Sequence, residues 1–173
     1  SRWVQKSSTP ATISGGYFTV SGSTDGVRRY LWHQPLATDD GTVEGKIGTG
    51  LNARFLRLML KSNAANTQYV VLTVNNSSVD LDRVTSESHT ALASVSLSPA
   101  NGDSFRVVFI GTTFQVERRL AASSTWNVIF TFVDSTNAVP TGEGYRYVGI
   151  GVERQFFANS GNWDSWSAFD QEI

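Results

Sequence analysis

The stretch SFRVVFIGTTFQV, residues 104–116, decides the fold of this 173-residue chain. Apolar residues alternate with others on both sides of Gly111-Thr112, which is the period of a β-strand. Because glycine readily supplies the positive φ of a two-residue turn, the stretch predicts a tight hairpin. Its two strands are expected at Ser104–Ile110 and Phe114–Leu120.

The same alternation continues outward from this hairpin in segments of about five to nine residues, each bounded by Gly, Pro, Asn, Asp or Ser. No window of helical length shows a sustained 3.6-residue period. About a dozen strands without intervening helices predict an all-β fold of antiparallel strands, a sandwich or a barrel, with a two-sheet jelly-roll sandwich favoured. The other expected strands are Tyr17–Val20, Val27–His33, Thr42–Ile47, Arg54–Leu60, Gln68–Val74, Val79–Thr85, Leu92–Leu97, Trp126–Val133, Tyr145–Glu153 and Ser165–Glu172.

The alternation also predicts the core. Arg54–Leu60 and Gln68–Val74 are the most apolar strands and are expected to pair near the centre of a sheet. The residues expected to face inward are Phe105, Val107, Phe109, Phe114, Val116, Trp126, Val128, Phe130, Phe132, Val148, Ile150 and Val152.

Composition predicts a single soluble domain over residues 1–173, because 40% of the residues are apolar and only 17% are charged. A net charge of -1 argues against nucleic acid as a partner, and the short apolar runs argue against membrane insertion. Without cysteine the chain has neither disulfides nor thiolate metal ligands. It opens at Ser1 with no initiator methionine or signal peptide, which suggests a piece of a longer polypeptide.

Two resemblances follow from particular stretches. The 104–116 hairpin together with Trp126-Asn127-Val128 resembles the late strand pair of concanavalin A-like jelly rolls, the fold of legume lectins, laminin-G-like modules and many carbohydrate-binding domains. The segments 31–40, 144–151 and 166–170 resemble domains of minor tail proteins of phages that infect actinobacteria. The second resemblance implies a virion component near the tail tip that contacts host cell-envelope glycans or other tail subunits, with a trimer as one expected oligomer.

Catalytic signatures are weak. Asp80 and Asp82 share one face of a strand, where glycosidases of the concanavalin A-like fold place paired acids, but the third acid and the flanking Trp or Ile pattern are missing. His33 and His89 are the only histidines, and neither belongs to a Gly-x-Ser-x-Gly motif. The sequence therefore predicts that the protein is not an enzyme. The alternative is a glycoside hydrolase.

No metal site or cofactor is predicted, with a structural calcium ion as the alternative. The loop acids Asp25, Asp39 and Asp40 are candidate calcium ligands, and Asp80, Asp82 or Asp103 would have to join them. Aspartate is also common in turns for local hydrogen-bonding reasons.

The aromatic residues give the predicted ligand site. Trp and Tyr rings stack on sugar rings while polar neighbours bind the hydroxyls. Two strand faces have this mixture, with Gly149 and Gly151 leaving room on the second, and they are expected to form one groove. The alternative is a second core layer. The candidate ligand-binding residues are Arg28, Tyr30 and Trp32 on one strand and Tyr145, Tyr147 and Glu153 on the other.

The ends of the chain add two expectations. Trp3 and Trp166 are expected to pack together where the last strand closes a sheet beside the first. The run Gln155-Phe156-Phe157-Ala158 suggests a subunit or partner interface. Three functions stay open at this point: a glycan-binding module, a structural domain of a virion, and a glycosidase.

Overall fold

The computed structural model describes residues 2–171. Within them lie fifteen strands and one short 3-10 helix at Glu143–Tyr145. The strands are β1 (Trp3–Gln5), β2 (Ala11–Ser14), β3 (Tyr17–Val20), β4 (Gly26–Trp32), β5 (Gly41–Ile47), β6 (Leu56–Ser62), β7 (Gln68–Val74), β8 (Ser78–Thr85), β9 (Ser88–Ser96), β10 (Ser104–Ile110), β11 (Thr113–Arg119), β12 (Asn127–Val133), β13 (Tyr147–Gln155), β14 (Ala158–Asn159) and β15 (Trp163–Asp170).

The strands form two sheets. Sheet A has the order β1-β4-β13-β6-β7-β8-β9, with β14 added to β13, and sheet B has the order β12-β11-β10-β5-β15-β3-β2. Neighbouring strands run antiparallel throughout the described residues. The prediction of an antiparallel two-sheet β-sandwich is confirmed.

Strand positions follow the sequence pattern closely where alternation is strong. β3, β7 and β10 have the predicted bounds, and Gly111 forms the β10–β11 turn at a φ of 56°. The short strands β1, β2 and β14 were not predicted. The last strand ends at Asp170, and the predicted end at Glu172 lies outside the described residues.

The core lies between the sheets and is built from alternate residues. Leu58 of β6 pairs with Leu72 of β7 in the middle of sheet A, and both side chains are fully buried against sheet B. The predicted central pairing of these two strands is therefore confirmed. No helix between residues 2 and 171 is long and apolar enough to cross a membrane.

Two residues predicted to face inward lie elsewhere. In the β11–β12 pairing, Val116 lies opposite Phe130 but Glu117 lies opposite Val128, so Ile129 is an extra residue in a β-bulge. The bulge reverses the alternation, and Val128 is 54% exposed. Trp126 precedes the strand and stacks on the Arg106 and Arg119 guanidinium groups, 4.3 and 4.7 Å from its ring, instead of entering the core.

The outer face of sheet A, which points away from sheet B, carries a second and smaller apolar cluster. This outer cluster consists of Leu31, Met59, Tyr69, Val71 and Val84, with Tyr147 packed against it. The polar part of that face, beside the outer cluster, forms a groove.

Candidate functional site

A groove of about 530 Å³ crosses the outer face of sheet A. Most of its lining residues are polar, and Phe55 and His89 contribute the aromatic rings among the described residues. The lining residues are Phe55, Arg57, Thr73, Asp80, Asp82, His89, Ala91, Ser94, Glu153 and Gln155. We call this feature the sheet A groove.

Strand register explains why these side chains meet. Arg57 pairs with Thr73, Thr73 with Asp80, and Asp80 with Ser94, which places one residue from each of four adjacent strands in a single row. Directly paired residues point to the same face of a sheet. At about 4.8 Å between strands, the row from β6 to β9 spans about 14 Å. The groove therefore runs across the strands.

Ion pairs and hydrogen bonds hold the carboxylates of the groove in place. Glu153 accepts a hydrogen bond of 3.1 Å from Arg57 Nη2 and one of 3.3 Å from the Phe55 backbone N–H. His89 Nδ1 lies 2.9 Å from Asp82 Oδ2. Asp80 accepts hydrogen bonds from the Ser94 hydroxyl and, at 2.8 Å, from the Ser78 hydroxyl. Because an ionised carboxylate has about four acceptor positions, each retains capacity for a ligand hydroxyl.

Arg29 is bonded to the outer cluster beside the groove. Its guanidinium donates to the Tyr69 hydroxyl at 2.8 Å and to both Glu87 oxygens at 2.9 and 2.6 Å, although β4 and β7 are separated by two strands. Burial alone would lower the pKa of Arg29, but Glu87 and Tyr69 outweigh burial and raise it. Burial raises the pKa of Tyr69. Both groups therefore keep their ordinary charge state at neutral pH, and the bridge is fixed.

The six predicted ligand-binding residues do not share one groove. Tyr30 of β4 lies opposite Ile150 of β13, and Arg28 lies opposite Val152, so the predicted face of β4 points into the sandwich with the core. Tyr147 and Glu153 lie on the outer face. The expectation of a single groove is wrong, because alternation defines the two faces of each strand but not how two strands align.

The residues on the inward face of β4 have structural contacts. Arg28 is fully buried and donates to the backbone carbonyls of Gly26, Thr24 and Ser21. Burial, followed by the nearby charge of Arg154, lowers the pKa of Arg28. These bonds fix the loop that leads into β4.

Tyr30 and Trp32 stand at the open edge of the sandwich. The Tyr30 hydroxyl donates to Gln5 Oε1 at 3.0 Å and accepts from the Ala11 N–H at 3.2 Å. The Trp32 ring lies 5.3 Å from Trp3 and 6.1 Å from Trp166.

The three candidates from the second predicted face lie in three different places. Tyr145 lies in the 3-10 helix rather than in β13, and its hydroxyl donates to Gln68 Oε1 at 2.9 Å. Tyr147 packs against the outer cluster. Glu153 alone among the six lines the sheet A groove. Ligand binding by any of them stays a prediction.

A second opening lies between the edges of the two sheets. This edge cleft has a volume of about 340 Å³, and Trp3, Phe18, Tyr30, Trp163 and Trp166 are its aromatic lining. The ring centroids of Trp3 and Trp166 are 4.8 Å apart, so their predicted packing is confirmed. The two tryptophans meet across the sandwich, however, because β1 belongs to sheet A and β15 to sheet B.

The candidate calcium ligands do not come together as one group: Asp80 and Asp82 line the sheet A groove, and Asp25, Asp39 and Asp103 each have partners elsewhere. Asp39 accepts from Arg146 Nε at 2.7 Å, and this bond holds the Asp39 pKa below its usual range. Asp103 pairs with Arg118, and Asp25 accepts from the Phe156 N–H at 3.0 Å. Over residues 2–171 no group of three or more His, Asp or Glu side chains is arranged to hold a metal ion.

Sequence reasoning missed most of the groove. Asp80 and Asp82 were correctly placed on one face, since they lie opposite Thr73 and Val71. The missed signal is a polar residue inside an apolar strand: Arg57 in Leu-Arg-Leu-Met-Leu and Thr73 in Val-Val-Leu-Thr-Val. A polar residue at such a position indicates the face of a central strand that is not covered by the other sheet.

The chain matches no protein-family model, and a search of curated proteins finds no match. Solved structures of similar fold include the carbohydrate-binding module CBM66 from Bacillus subtilis, with a TM-score of 0.73, 14% identity and coverage of 98% of this chain and 96% of that one. The calcium-bound exoplasmic/lumenal domain of VIP36 has a TM-score of 0.75 and 14% identity, with coverage of 99% and 84%. The carbohydrate recognition domain of Emp46p in its metal-free form has a TM-score of 0.62 and 12% identity, with coverage of 99% and 89%. At these identities the likeness shows the fold alone: the chain has the two-sheet jelly roll of concanavalin A-like architecture that its sequence predicted.

Proposed function

We propose that this domain is a non-catalytic glycan-binding module and that its ligand lies in the sheet A groove. The row of fixed carboxylate, hydroxyl and guanidinium groups beside the Phe55 ring carries the proposal. A sugar presents hydroxyls at its rim and an apolar face on its ring, which this combination of side chains suits. A groove rather than a flat apolar patch also favours binding over a purely structural role.

The fold comparisons support the same ligand class. One similar structure is a carbohydrate-binding module, another is a carbohydrate recognition domain, and VIP36 has also been solved in a mannose-bound form. All three share the fold of this chain. The groove of this chain provides a site of suitable chemistry on that scaffold.

One matched pair of variants tests whether the ligand binds in the groove. Asp82→Asn removes a carboxylate charge inside the groove, and Asp164→Asn removes one from the edge cleft, where Asp164 pairs with Lys46 at 2.6 Å. On a glycan array followed by calorimetry, we expect Asp82→Asn to weaken binding about tenfold or more, because hydrogen bonds to a charged group contribute about 1.5 to 3 kcal/mol.

The Asp164→Asn protein should bind like the wild type, with both variants unchanged in their unfolding temperature. Loss of binding in Asp164→Asn alone would show that the ligand binds in the edge cleft. Absence of binding to every glycan by the wild-type protein would refute the proposed function.

A glycoside hydrolase is the second candidate, because Asp80 and Asp82 do stand together in a groove. Glycosidases need one carboxylic acid that donates a proton and one carboxylate that attacks or activates water. Here Glu153 is bound to Arg57, Asp80 accepts hydrogen bonds from two hydroxyl groups, and Asp82 Oδ2 lies 2.9 Å from His89 Nδ1, so each carboxyl group already has a partner within the protein. We expect no products from a β-glucan panel. Hydrolysis that Asp82→Asn abolishes would assign the enzyme instead.

We also propose that the domain belongs to the tail tip of a phage virion that infects actinobacteria, where it would meet envelope glycans and other tail subunits. The resemblance of segments 31–40, 144–151 and 166–170 to minor tail proteins supports this context. The genes that flank its coding sequence should then encode tail proteins, and the mass in solution should be that of a trimer. Flanking genes that encode no phage structural protein would contradict this proposal. Origin as part of a longer polypeptide stays a prediction.

A further inference from the structure

The turn between β13 and β14 places two bulky residues in a strained backbone conformation. Phe156 and Phe157 have φ angles of 49° and 64°, in the left-handed region. Two-residue hairpins of this kind favour Asn-Gly, because the left-handed region costs most other L-residues about 1 to 2 kcal/mol each. Strain at bulky residues, held in place by the surrounding structure, is typical of functional positions.

The same two residues are the most exposed large apolar side chains among the described residues. Phe156 is 70% exposed and Phe157 is 88% exposed. They therefore contribute little to the core, and burial within this chain does not explain them. We call these two residues the Phe156–Phe157 tip.

Neighbouring segments hold the tip from two sides. Asp25 accepts the Phe156 N–H at 3.0 Å, and Arg154 Nε donates to the Ser23 carbonyl at 2.9 Å. Arg54 Nε donates to the Gln155 carbonyl at 3.1 Å while its guanidinium lies 5.3 Å from the centre of the Phe156 ring. A surface fixed before binding loses less entropy when a ligand arrives.

The tip follows directly on a residue that lines the sheet A groove. Gln155 lines the groove and is followed directly by Phe156, and Phe55, which also lines the groove, follows Arg54. The end of the groove at Gln155 therefore adjoins two exposed phenylalanines, and Arg54, Arg154 and Asp25 contribute polar groups near them. Rings of this kind stack on the apolar face of a sugar, and adjacent charged groups bind its hydroxyls.

We infer that the Phe156–Phe157 tip is an outer aromatic subsite for the same glycan, so that the preferred ligand is an oligosaccharide long enough to leave the groove. This inference rests on the proposed function, since it needs a glycan in the groove. It predicts that affinity depends on chain length in a way that the tip controls.

The experiment measures affinity for a ladder of oligosaccharides of the glycan found on the array. The double variant Phe156→Ser, Phe157→Ser is compared with the wild type and with Ile13→Ser, a control residue that is 68% exposed at the β2–β3 hairpin and lines the edge cleft. We expect the double variant to bind the shortest oligosaccharides like the wild type and the longest about tenfold more weakly. Ile13→Ser should match the wild type at every length.

Equal loss at all lengths, or no loss at any length, would overturn the inference while leaving the proposed function intact. Absence of binding by the wild type would overturn both. Two further measurements, mass in solution and pelleting with phosphatidylcholine–phosphatidylglycerol vesicles, cover other occupants of the tip. An oligomer or a vesicle-bound form that only the double variant loses would assign the tip to a second copy or to lipid and so overturn the inference.

Discussion

At Gly149 the backbones of β13 and β4 approach so closely that a side chain does not fit. A Cβ there would lie 2.2 Å from the Tyr30 carbonyl oxygen and 2.9 Å from Leu31 Cδ2. We expect Gly149→Ala to lower the free energy of unfolding by about 3 kcal/mol, because backbone has to move. Gly144→Ala is the control, since its Cβ would meet nothing within 4 Å. Urea denaturation measures both, and equal stability of the two variants would contradict the packing.

Buried and bonded aspartates make stability depend on pH. Burial alone would raise the pKa of Asp134, but the N–H groups of Val139 at 2.7 Å and Ala138 at 3.0 Å, together with other bonds, lower it. The pKa values of Asp39 and Asp170 are also lowered. A pKa lower in the folded than in the unfolded state stabilises the fold above about pH 4, the unfolded value, and this contribution disappears as pH falls through the folded pKa.

We therefore expect a flat unfolding temperature from about pH 7 to pH 5 and a decrease below about pH 4. Asp134→Asn should lower stability at neutral pH and make the acidic decrease shallower. Thermal unfolding followed by circular dichroism over this range is the measurement. A variant with the same acidic slope as the wild type would show that Asp134 does not contribute.

At the scale of the element, the bulge in β12 decides which residues are core. Val128 is 54% exposed, whereas Val116 on the neighbouring strand is fully buried. Val128→Thr should change the free energy of unfolding by less than about 0.5 kcal/mol, and Val116→Thr should cost about 1 to 3 kcal/mol because it buries a hydroxyl. Chemical denaturation of both variants tests the register. A large effect at Val128 would mean that the alternation is unbroken.

The elements that the sequence predicted well are those whose signal is local. Alternation within Ser104–Ile110 and the Gly111 turn sufficed for the β10–β11 hairpin, and for most other strands the bounds shifted by only a few residues. The groove was missed because it depends on the register between strands, both consecutive ones, as in Arg57 opposite Thr73, and distant ones, as in Arg57 opposite Gly151. The Val128 error has the same origin, since an inserted residue changes pairing without changing the apolar pattern.

At the scale of the whole molecule, the Trp3–Trp166 contact joins β1, the first strand of the chain, in sheet A to β15, the last strand described, in sheet B. Trp3→Ala removes aromatic contacts to both Trp32 and Trp166 and should lower the free energy of unfolding by about 3 kcal/mol. Trp126→Ala is the matched control on the outer face of sheet B and should cost about 1 kcal/mol from its contacts with arginine. Equal losses in guanidinium denaturation would show that the contact does not join the sheets.

The distribution of the tryptophans also has a spectroscopic consequence. Trp3, Trp163 and Trp166 line the edge cleft, Trp32 contacts Trp3 and Trp166, and Trp126 lies on the outer face of sheet B, so none of the five borders the sheet A groove. Intrinsic fluorescence should therefore follow unfolding strongly and remain unchanged when a sugar enters the groove. A titration that quenches emission would locate the sugar between the sheets, which makes an ordinary fluorimeter sufficient to distinguish the two openings.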